Sequence, residues 1–166
     1  MVNTRNLNFL WLSICIVAGA TQAAHAADES QAAIDACTKL VTDYAFYRDR
    51  PDADAVAILF TADATMDLFG QKFAGREAIR DRIAAGVGGP VYRHFISTIN
   101  IEVSANGRSA IGVTYVVVYR GDESELPQTL TEPVAIGEYH DQFQRTRDGW
   151  KIAARVFVPV FLPVQP

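Results

Sequence analysis

His94 and Asp49 are the two residues of this 166-residue chain whose types and positions could together carry out general-base chemistry. His94 lies in the apolar stretch VYRHFISTINIEV, at positions 91–103, and Asp49 is the last acidic residue of a helical pattern that Pro51 ends. A histidine accepts a proton near neutral pH because its ordinary pKa is about 6.5, and a carboxylate on its other ring nitrogen fixes its tautomer. If the fold brings the two side chains together in a pocket, the pair predicts a small general-base enzyme.

The same two residues also have a purely structural interpretation. His94 could be a buried histidine bonded to structural partners, while Asp49 serves only a solvated helix end. However, an aspartate at the C-terminus of a helix faces the negative end of the helix dipole, which is unfavourable unless a cation compensates. This unusual position favours the catalytic interpretation.

Three segments in the N-terminal half have the pattern of helices. Apolar residues recur at three- and four-residue spacing over residues 30–49, and Asp52 is placed to cap a short helix that extends to residue 60. Residues 76–85 carry isoleucines on one side and charges on the other, before the glycine-rich break at 86–90. We therefore expect three N-terminal helices.

The remaining segments have the composition of β-strands. Two short strands are expected on either side of Gly70, at 64–69 and 72–74. β-Branched and aromatic residues fill four longer segments, at 91–103, 110–119, 134–145 and 150–160. Asn106-Gly107 and Asp148-Gly149 are hairpin signals, and the polar stretch 121–132 is a longer loop. One α+β domain accounts for this order, with three helices packed against one face of a curved antiparallel sheet.

The first 26 residues have the composition of a secretory signal peptide. A short segment with Arg5 precedes an apolar run over residues 9–20, and Ala24-His25-Ala26 then has the small residues of a cleavage site. The run is shorter than the roughly 20 apolar residues that span a bilayer. We therefore expect cleavage after Ala26 and a single secreted domain at 27–166, periplasmic in a Gram-negative source, with no membrane association after cleavage.

Charge and cysteine content narrow the classes of partner. The chain has 15 basic and 19 acidic residues, a net charge of −4, and loss of Arg5 leaves 14 against 19, or −5. This balance disfavours a nucleic acid or an anionic membrane as partner. Cys15 would leave with the signal, so Cys37 has no intramolecular disulfide partner, and its place on the apolar side of the first helix predicts a buried side chain.

Further pocket residues can be proposed from strand alternation. Alternation places Tyr92, His94, Ile96, Thr98 and Asn100 on one face of their strand unless a bulge intervenes. It leaves open which face of the later strands is concave. No pair of ligand-type residues shows a metal-site spacing, so we expect neither a metal nor a cofactor. The residues expected to contact a small apolar ligand are Tyr44, Tyr47, Asp67, Phe69, Tyr115 and His140.

Several short motifs occur together with this order of elements. They are DRPDAD at 49–54 with LFTADA at 59–64, FAGREAI at 73–79, RHF at 93–95 and RDGWKI at 147–152. Their order and spacing resemble the SnoaL-like branch of the nuclear-transport-factor-2-like superfamily, over essentially the whole chain after residue 26. The resemblance implies a cone-shaped α+β barrel whose wide end opens on a pocket between helices and sheet.

The resemblance also implies a range of activities, because the superfamily contains dehydratases, isomerases such as ketosteroid isomerase, and non-catalytic binders. In two of its lyases, scytalone dehydratase and hexachlorocyclohexane dehydrochlorinase, a strand histidine acts as base beside an aspartate from the end of the first helix. His94 and Asp49 match those positions. Where scytalone dehydratase has a substrate-polarising tyrosine, this chain has Leu68, which makes scytalone itself a poor substrate and leaves Tyr47 or Tyr115 for that role.

Two functions follow from the resemblance and the Asp–His pair. The first is a cofactor-independent lyase, dehydratase-like, or an isomerase, acting on a small apolar compound, with cyclic compounds among the candidates. The alternative is a non-catalytic periplasmic small-ligand binding protein. The tail VFVPVFLPVQP at 156–166 is apolar on both faces, which predicts an oligomer interface or a cover over the pocket mouth. We expect a homodimer or a homotrimer.

Overall fold

Within the part of the chain that the structure describes, three helices and six strands follow one another in the predicted order. The computed structural model describes residues 8–122, 127–129 and 132–163, with side chains from His25 onward. The elements are α1 (Asn8–Arg48), α2 (Ala53–Ala57), β1 (Phe60–Leu68), β2 (Gln71–Ala74), α3 (Arg76–Ala84), β3 (Val91–Val103), β4 (Ser109–Gly121), β5 (Ala135–Thr146) and β6 (Gly149–Phe161).

The six strands form one curved sheet in the order β2-β1-β6-β5-β4-β3. Strands β3 to β6 pair with their chain neighbours in antiparallel fashion, and β1 is antiparallel to β2. Strand β1 is parallel to β6, so the sheet is mixed rather than wholly antiparallel as predicted. No hairpin joins β1 to β6, and therefore no tight turn imposes an antiparallel direction on that pair. The predicted α+β class with helices on a curved sheet is confirmed.

Helix α1 is longer than predicted, and α2 is shorter. Helix α1 begins at Asn8 and includes most of the segment expected to be a signal peptide. Among its described side chains, Ala33 is the first buried one. Helix α2 is capped as predicted, because the Asp52 carboxylate accepts the Ala55 N–H at 3.0 Å. It ends early because Phe60 pairs with Ile152 of β6, which draws the chain into the sheet.

Two glycine turns confirm the predicted hairpins. Gly107 and Gly149 have φ values of 64° and 92° in the β3–β4 and β5–β6 turns. This left-handed conformation suits glycine because it lacks a Cβ atom.

A bulge in β3 changes which side chains of that strand face the helices. The pairing with β4 shifts between Ser97 and Ile99, and Thr98 has a φ of 44°. The inward row therefore passes from His94 and Ile96 to Ile99, and then to Ile101. Thr98 and Asn100, predicted on the same face as His94, are instead exposed.

The helices cover the concave face of the sheet, and the core lies between them. Cys37 is fully buried on α1, as predicted. The fully buried apolar and aromatic side chains around it include Val41, Tyr44, Phe60, Ile79, Ile83 and Ile152. Within the described ranges, no helix is long and apolar enough to cross a membrane.

Candidate functional site

Strand β3 and the end of α1 bring His94 and Asp49 into direct contact. Asp49 follows the last residue of α1 and continues its hydrogen bonding, since its N–H donates to the Ala45 carbonyl at 3.0 Å. Asp49 Oδ1 lies 2.5 Å from His94 Nδ1, and Asp49 Oδ2 accepts the His94 backbone N–H at 3.0 Å. The two side chains are only 10% and 8% exposed, respectively. The carboxylate thus holds both the ring and the backbone of His94.

This contact determines which nitrogen of His94 can act as a base. An ionised carboxylate only accepts hydrogen bonds, so Nδ1 must carry the hydrogen. The other nitrogen, Nε2, has no hydrogen-bond partner among the residues that the structure describes. Nε2 therefore has a free lone pair, while Asp49 can stabilise the imidazolium that forms on protonation.

His94 lines a cavity of about 170 Å³ between the helices and the concave face of the sheet. We call this cavity the pocket. Its volume resembles the roughly 150 Å³ of an apolar cavity that binds benzene. A cleft of about 480 Å³ between the 88–90 and 120–122 segments is larger, but His94 does not line it. The pocket is lined by Tyr44, Arg48, Leu68, Phe69, Gln71, Arg82, Tyr92, His94, Val118, Val134, Ala135, Tyr139 and Phe157.

Tyr139 and Tyr92 are two phenols of the pocket whose hydroxyls have no hydrogen-bond partner among the described residues, and the Tyr92 ring centroid lies 6.4 Å from that of the His94 ring. Tyr139 is the more deeply buried of the two. Its side chain is 3% exposed, and its hydroxyl has no partner in the described part of the chain, whereas the Tyr44 hydroxyl points to Met66 Sδ at 3.8 Å. Burial and then the nearby Tyr44 raise the pKa of Tyr139, and this outweighs the opposing effect of Arg155. Tyr139 therefore stays protonated near neutral pH and remains a donor.

A buried ion pair lies behind the two tyrosines. Arg155 Nε and Nη2 donate to the Asp141 carboxylate at 2.7 and 2.6 Å, and both side chains are fully buried. The Arg155 guanidinium carbon lies 4.2 and 4.3 Å from the ring centroids of Tyr44 and Tyr139. Burial alone would lower the pKa of Arg155, but Asp141 more than offsets this and keeps the guanidinium charged. The pair fixes both tyrosine rings in place.

Two further arginines line the pocket itself. Arg48, the last residue of α1, is 8% exposed, and its guanidinium carbon lies 4.9 Å from the centroid of the Tyr92 ring. Arg82 of α3 is half-buried. Neither guanidinium has a hydrogen bond or an ion pair with any residue that the structure describes. The pocket is therefore apolar and aromatic with an unpaired positive charge.

The structure gathers only some of the predicted site residues around His94. Tyr44 and Phe69 line the pocket, and Asp49 bonds to His94 Nδ1 without lining the pocket itself. Tyr47 is half-buried and packs on Phe46 with ring centroids 5.4 Å apart, outside the pocket lining. Asp67 instead accepts the Gly70 N–H at 2.8 Å and so stabilises the β1–β2 turn.

Tyr115 and His140, which were predicted to contact the ligand, lie on the opposite, outer face of the sheet, away from the pocket that His94 lines. Tyr115 is 47% exposed, and His140 bonds through Nε2 to Glu138 at 2.7 Å on that outer face. The reason is alternation: the buried Thr114 and Tyr139 are their chain neighbours and point inward. Tyr139 is therefore the inward phenol of this part of the sheet.

Sequence reasoning missed several pocket residues, including both unpaired arginines. Arg82 is on the predicted polar side of its helix. Arg48 lies four residues after Tyr44 and three after Ala45, so it continues the apolar side of the first helix, and this spacing was the available signal. The described residues contain no cluster of three or more His, Cys, Asp or Glu side chains that could hold a metal ion.

Solved structures share this fold. A protein of unknown function from Mycobacterium tuberculosis, Rv3472, is 24% identical, with 82% of this chain and 76% of that chain covered and a TM-score of 0.71. A candidate scytalone dehydratase from Novosphingobium aromaticivorans is 18% identical, with 82% and 90% covered and a TM-score of 0.70. A hexachlorocyclohexane dehydrochlorinase is 14% identical, with 81% and 90% covered and a TM-score of 0.67. At these identities the likeness establishes the fold alone.

None of the curated protein sequences matches this chain. A family model does, and it is described as the SnoaL-like domain. It covers residues 29–156, which include every element from the second half of α1 to the middle of β6. This chain therefore belongs to the SnoaL-like domain family.

Proposed function

We propose that this protein is a cofactor-independent lyase or isomerase that removes a proton from carbon in a small compound with an apolar body. One observation carries the proposal: the Asp49–His94 pair is nearly buried, and its free nitrogen belongs to a residue that lines the pocket. A histidine that served only packing would not need a carboxylate on Nδ1 and a cavity at its other side.

The proposed reaction begins at His94 Nε2. This nitrogen takes a proton from a substrate carbon, and the electron pair of the broken C–H bond moves towards the neighbouring carbon. In a lyase, that pair forms a C=C bond as a leaving group departs from the neighbouring carbon with its own bonding electrons. In an isomerase, the proton returns from His94 to a different carbon. Asp49 stabilises the imidazolium in the interval.

Tyr139 is proposed to polarise the substrate. Its protonated hydroxyl can donate to a carbonyl or leaving-group oxygen, where negative charge develops during proton removal. It takes the role that the sequence suggested for Tyr47 or Tyr115. The apolar pocket walls, including Leu68 and Phe157, suit a single ring or a short carbon skeleton.

Proton removal can be tested before the true substrate is known. A base that abstracts a carbon-bound proton in D₂O exchanges it for deuterium, which NMR detects without any leaving group. We expect the protein to accelerate exchange for some members of a panel of small cyclic ketones and β-substituted carbonyl compounds. His94→Gln should lower that rate by about 10²–10⁴-fold, the usual contribution of a general base.

His140→Gln is the matched control. His140 also bonds to a carboxylate, but on the exposed outer face of the sheet. It should leave the exchange rate unchanged. Equal rates for wild type and His94→Gln would reject the base assignment. Saturable binding without exchange by the wild type would instead favour the non-catalytic binding protein.

We also propose that the protein is exported and self-associates. The predicted signal ends before the first buried side chain described in α1, Ala33. On the outer face of the sheet, an apolar surface is exposed that a second copy would cover. We call it the outer apolar patch, and it consists of Phe95, Ile111, Tyr115, Val156 and Val158.

A further inference from the structure

We infer that the substrate carries a carboxylate group, which the Arg48 guanidinium binds inside the pocket with help from Arg82. The inference concerns the ligand of the proposed reaction and so rests on the proposed function. It adds a charged anchor to a compound whose remainder is apolar. The observation behind it is a cation that is more than nine-tenths buried and has no hydrogen-bond or ion-pair partner among the described residues. It lines the pocket and also a neighbouring cleft of about 420 Å³.

Burial is what makes Arg48 informative. Arg48 is 8% exposed as a residue and its guanidinium nitrogens keep contact with solvent, yet it has no hydrogen bond or ion pair with any described residue. Buried charges in proteins are normally paired, because removal from water is costly unless a counter-charge compensates. The Tyr92 ring, with its centroid 4.9 Å away, offsets only part of that cost. An anion from outside the chain would complete the pairing.

The charge distribution around the pocket points the same way. Among the described residues that line it, Arg48 and Arg82 are cationic and none is an aspartate or a glutamate. Two acids beside pocket residues already have partners, since Asp49 bonds to His94 and Asp141 bonds to Arg155. The chain as a whole has a net charge of −4. A positive pocket in an acidic protein selects for anionic ligands.

The chemistry of the group favours a carboxylate. A guanidinium presents planar, parallel N–H donors that match the two oxygens of a carboxylate. The remaining pocket lining is mainly aromatic and aliphatic, which suits a single ring, and the volume of about 170 Å³ leaves space for little more. A small ring acid, aromatic or alicyclic, therefore matches the site. With its carboxylate on Arg48, its ring would lie between the aromatic walls and within the cavity that His94 lines.

The test is an equilibrium comparison of benzoate with benzamide, its neutral analogue of nearly the same shape. Both are titrated into the full chain by isothermal calorimetry at pH 8. We expect the wild type to bind benzoate about tenfold more tightly or better, because a charge-assisted pair to arginine forms only with the carboxylate. The preference should weaken at high salt. Equal or weaker binding of benzoate, or no saturable binding of it, would overturn the inference.

Variants assign the preference to Arg48. Arg48→Gln should reduce the benzoate-to-benzamide ratio to about one, and Arg48→Lys should retain part of it. Arg93→Gln is the matched control, because it removes the same charge next to His94 but from the exposed side of β3. A preference that persists undiminished in folded Arg48→Gln would also overturn the inference. If Arg48→Gln does not fold, the preference of the wild type for benzoate and its partial retention in Arg48→Lys still test the inference.

Failure here can be distinguished from failure of the proposed reaction. Binding needs no proton transfer, so His94→Gln should keep the preference for benzoate while it loses deuterium exchange. A protein with the preference but no exchange would be a binding protein for small ring acids. A protein with exchange but no preference would keep the general base and lose the carboxylate anchor.

Discussion

Asp49 holds His94 at two points, with one carboxylate oxygen 2.5 Å from the ring nitrogen Nδ1 and the other accepting the backbone N–H at 3.0 Å. One side chain therefore sets the ring orientation, the tautomer and the local path of β3. It also explains the aspartate at the end of α1, where the helix dipole alone would disfavour it. His94 supplies the hydrogen-bond donors that this carboxylate needs at the helix end.

Neutralising Asp49 should reduce proton abstraction without removing the base. Asp49→Asn leaves an amide that cannot stabilise the imidazolium, so deuterium exchange should fall by about 10²-fold or more. NMR exchange rates in D₂O measure this. Asp63→Asn, which changes an exposed acid on β1, is the control and should have the wild-type rate. A wild-type rate in Asp49→Asn would show that the contact is structural only.

Breaking the buried pair behind the tyrosines should strongly destabilise the fold. Asp141→Ala leaves the fully buried Arg155 charge without its partner, and we expect the free energy of unfolding to fall by about 3–5 kcal/mol. Urea denaturation followed by circular dichroism measures it. Asp54→Ala breaks an exposed pair with Arg80 and should have a much smaller effect, because solvent screens that pair. Similar losses for the two variants would contradict the burial argument.

Cys37 should be almost inert towards alkylation in the folded protein. Burial, and secondarily Asp141, raises the pKa of its thiol from 9.0 to about 12. At pH 8 the thiolate fraction is then roughly a thousandfold smaller than in the unfolded chain. Mass spectrometry with iodoacetamide in a Cys15→Ser background measures the rate, and urea provides the unfolded control. Equal alkylation rates with and without urea would contradict the prediction that the fold protects Cys37.

The same shift predicts a change of stability with pH. The folded-state pKa of Cys37 lies above the ordinary value, so its contribution is fully present below about pH 9 and is lost as the pH rises towards 12. Tyr139 acts in the same direction, because its pKa is raised as well. In the Cys15→Ser background, Cys37→Ala should therefore lose less unfolding free energy at alkaline pH than the protein that keeps Cys37. An unchanged pH profile would show that Cys37 is not the group responsible.

A charge in the outer apolar patch should dissociate the expected oligomer. Ile111 is 58% exposed on β4, and Ile111→Lys places a cation where a second copy would have to desolvate it. Sedimentation velocity should show a dimer or trimer for the wild type and a monomer for the variant. Ala105→Lys, in the exposed β3–β4 turn, is the control. A monomeric wild type would reject self-association.

Export should remove the first 26 residues. The intact mass of the exported protein should match a chain that begins at Ala27. Ala26→Tyr should block processing, because signal cleavage sites require small residues, whereas Ser30→Tyr should be processed normally. An exported wild-type protein that retained its N-terminal residues would contradict the prediction.

The elements and the central pair could be predicted from local patterns. Alternation and hairpin glycines predict strands such as Val91–Val103, whose bounds the structure reproduces. His94 and Asp49 could be paired in advance because the family motif records their proximity, although they are distant in the chain. Such signals depend on a few neighbouring residues, or on a pattern repeated across a family.

The composition of the pocket depended on tertiary structure. A strand with a two-residue period looks the same whichever face is concave, so alternation alone did not show that Tyr139, rather than the predicted Tyr115, would line the pocket. The β3 bulge at Thr98 reversed the later half of that strand, and nothing in its local sequence required it. The place of Arg48 in the pocket lining also depended on tertiary packing. Its type and position are written in the sequence, but its burial without a partner results from long-range packing, which brings α1, α3 and the sheet around one cavity.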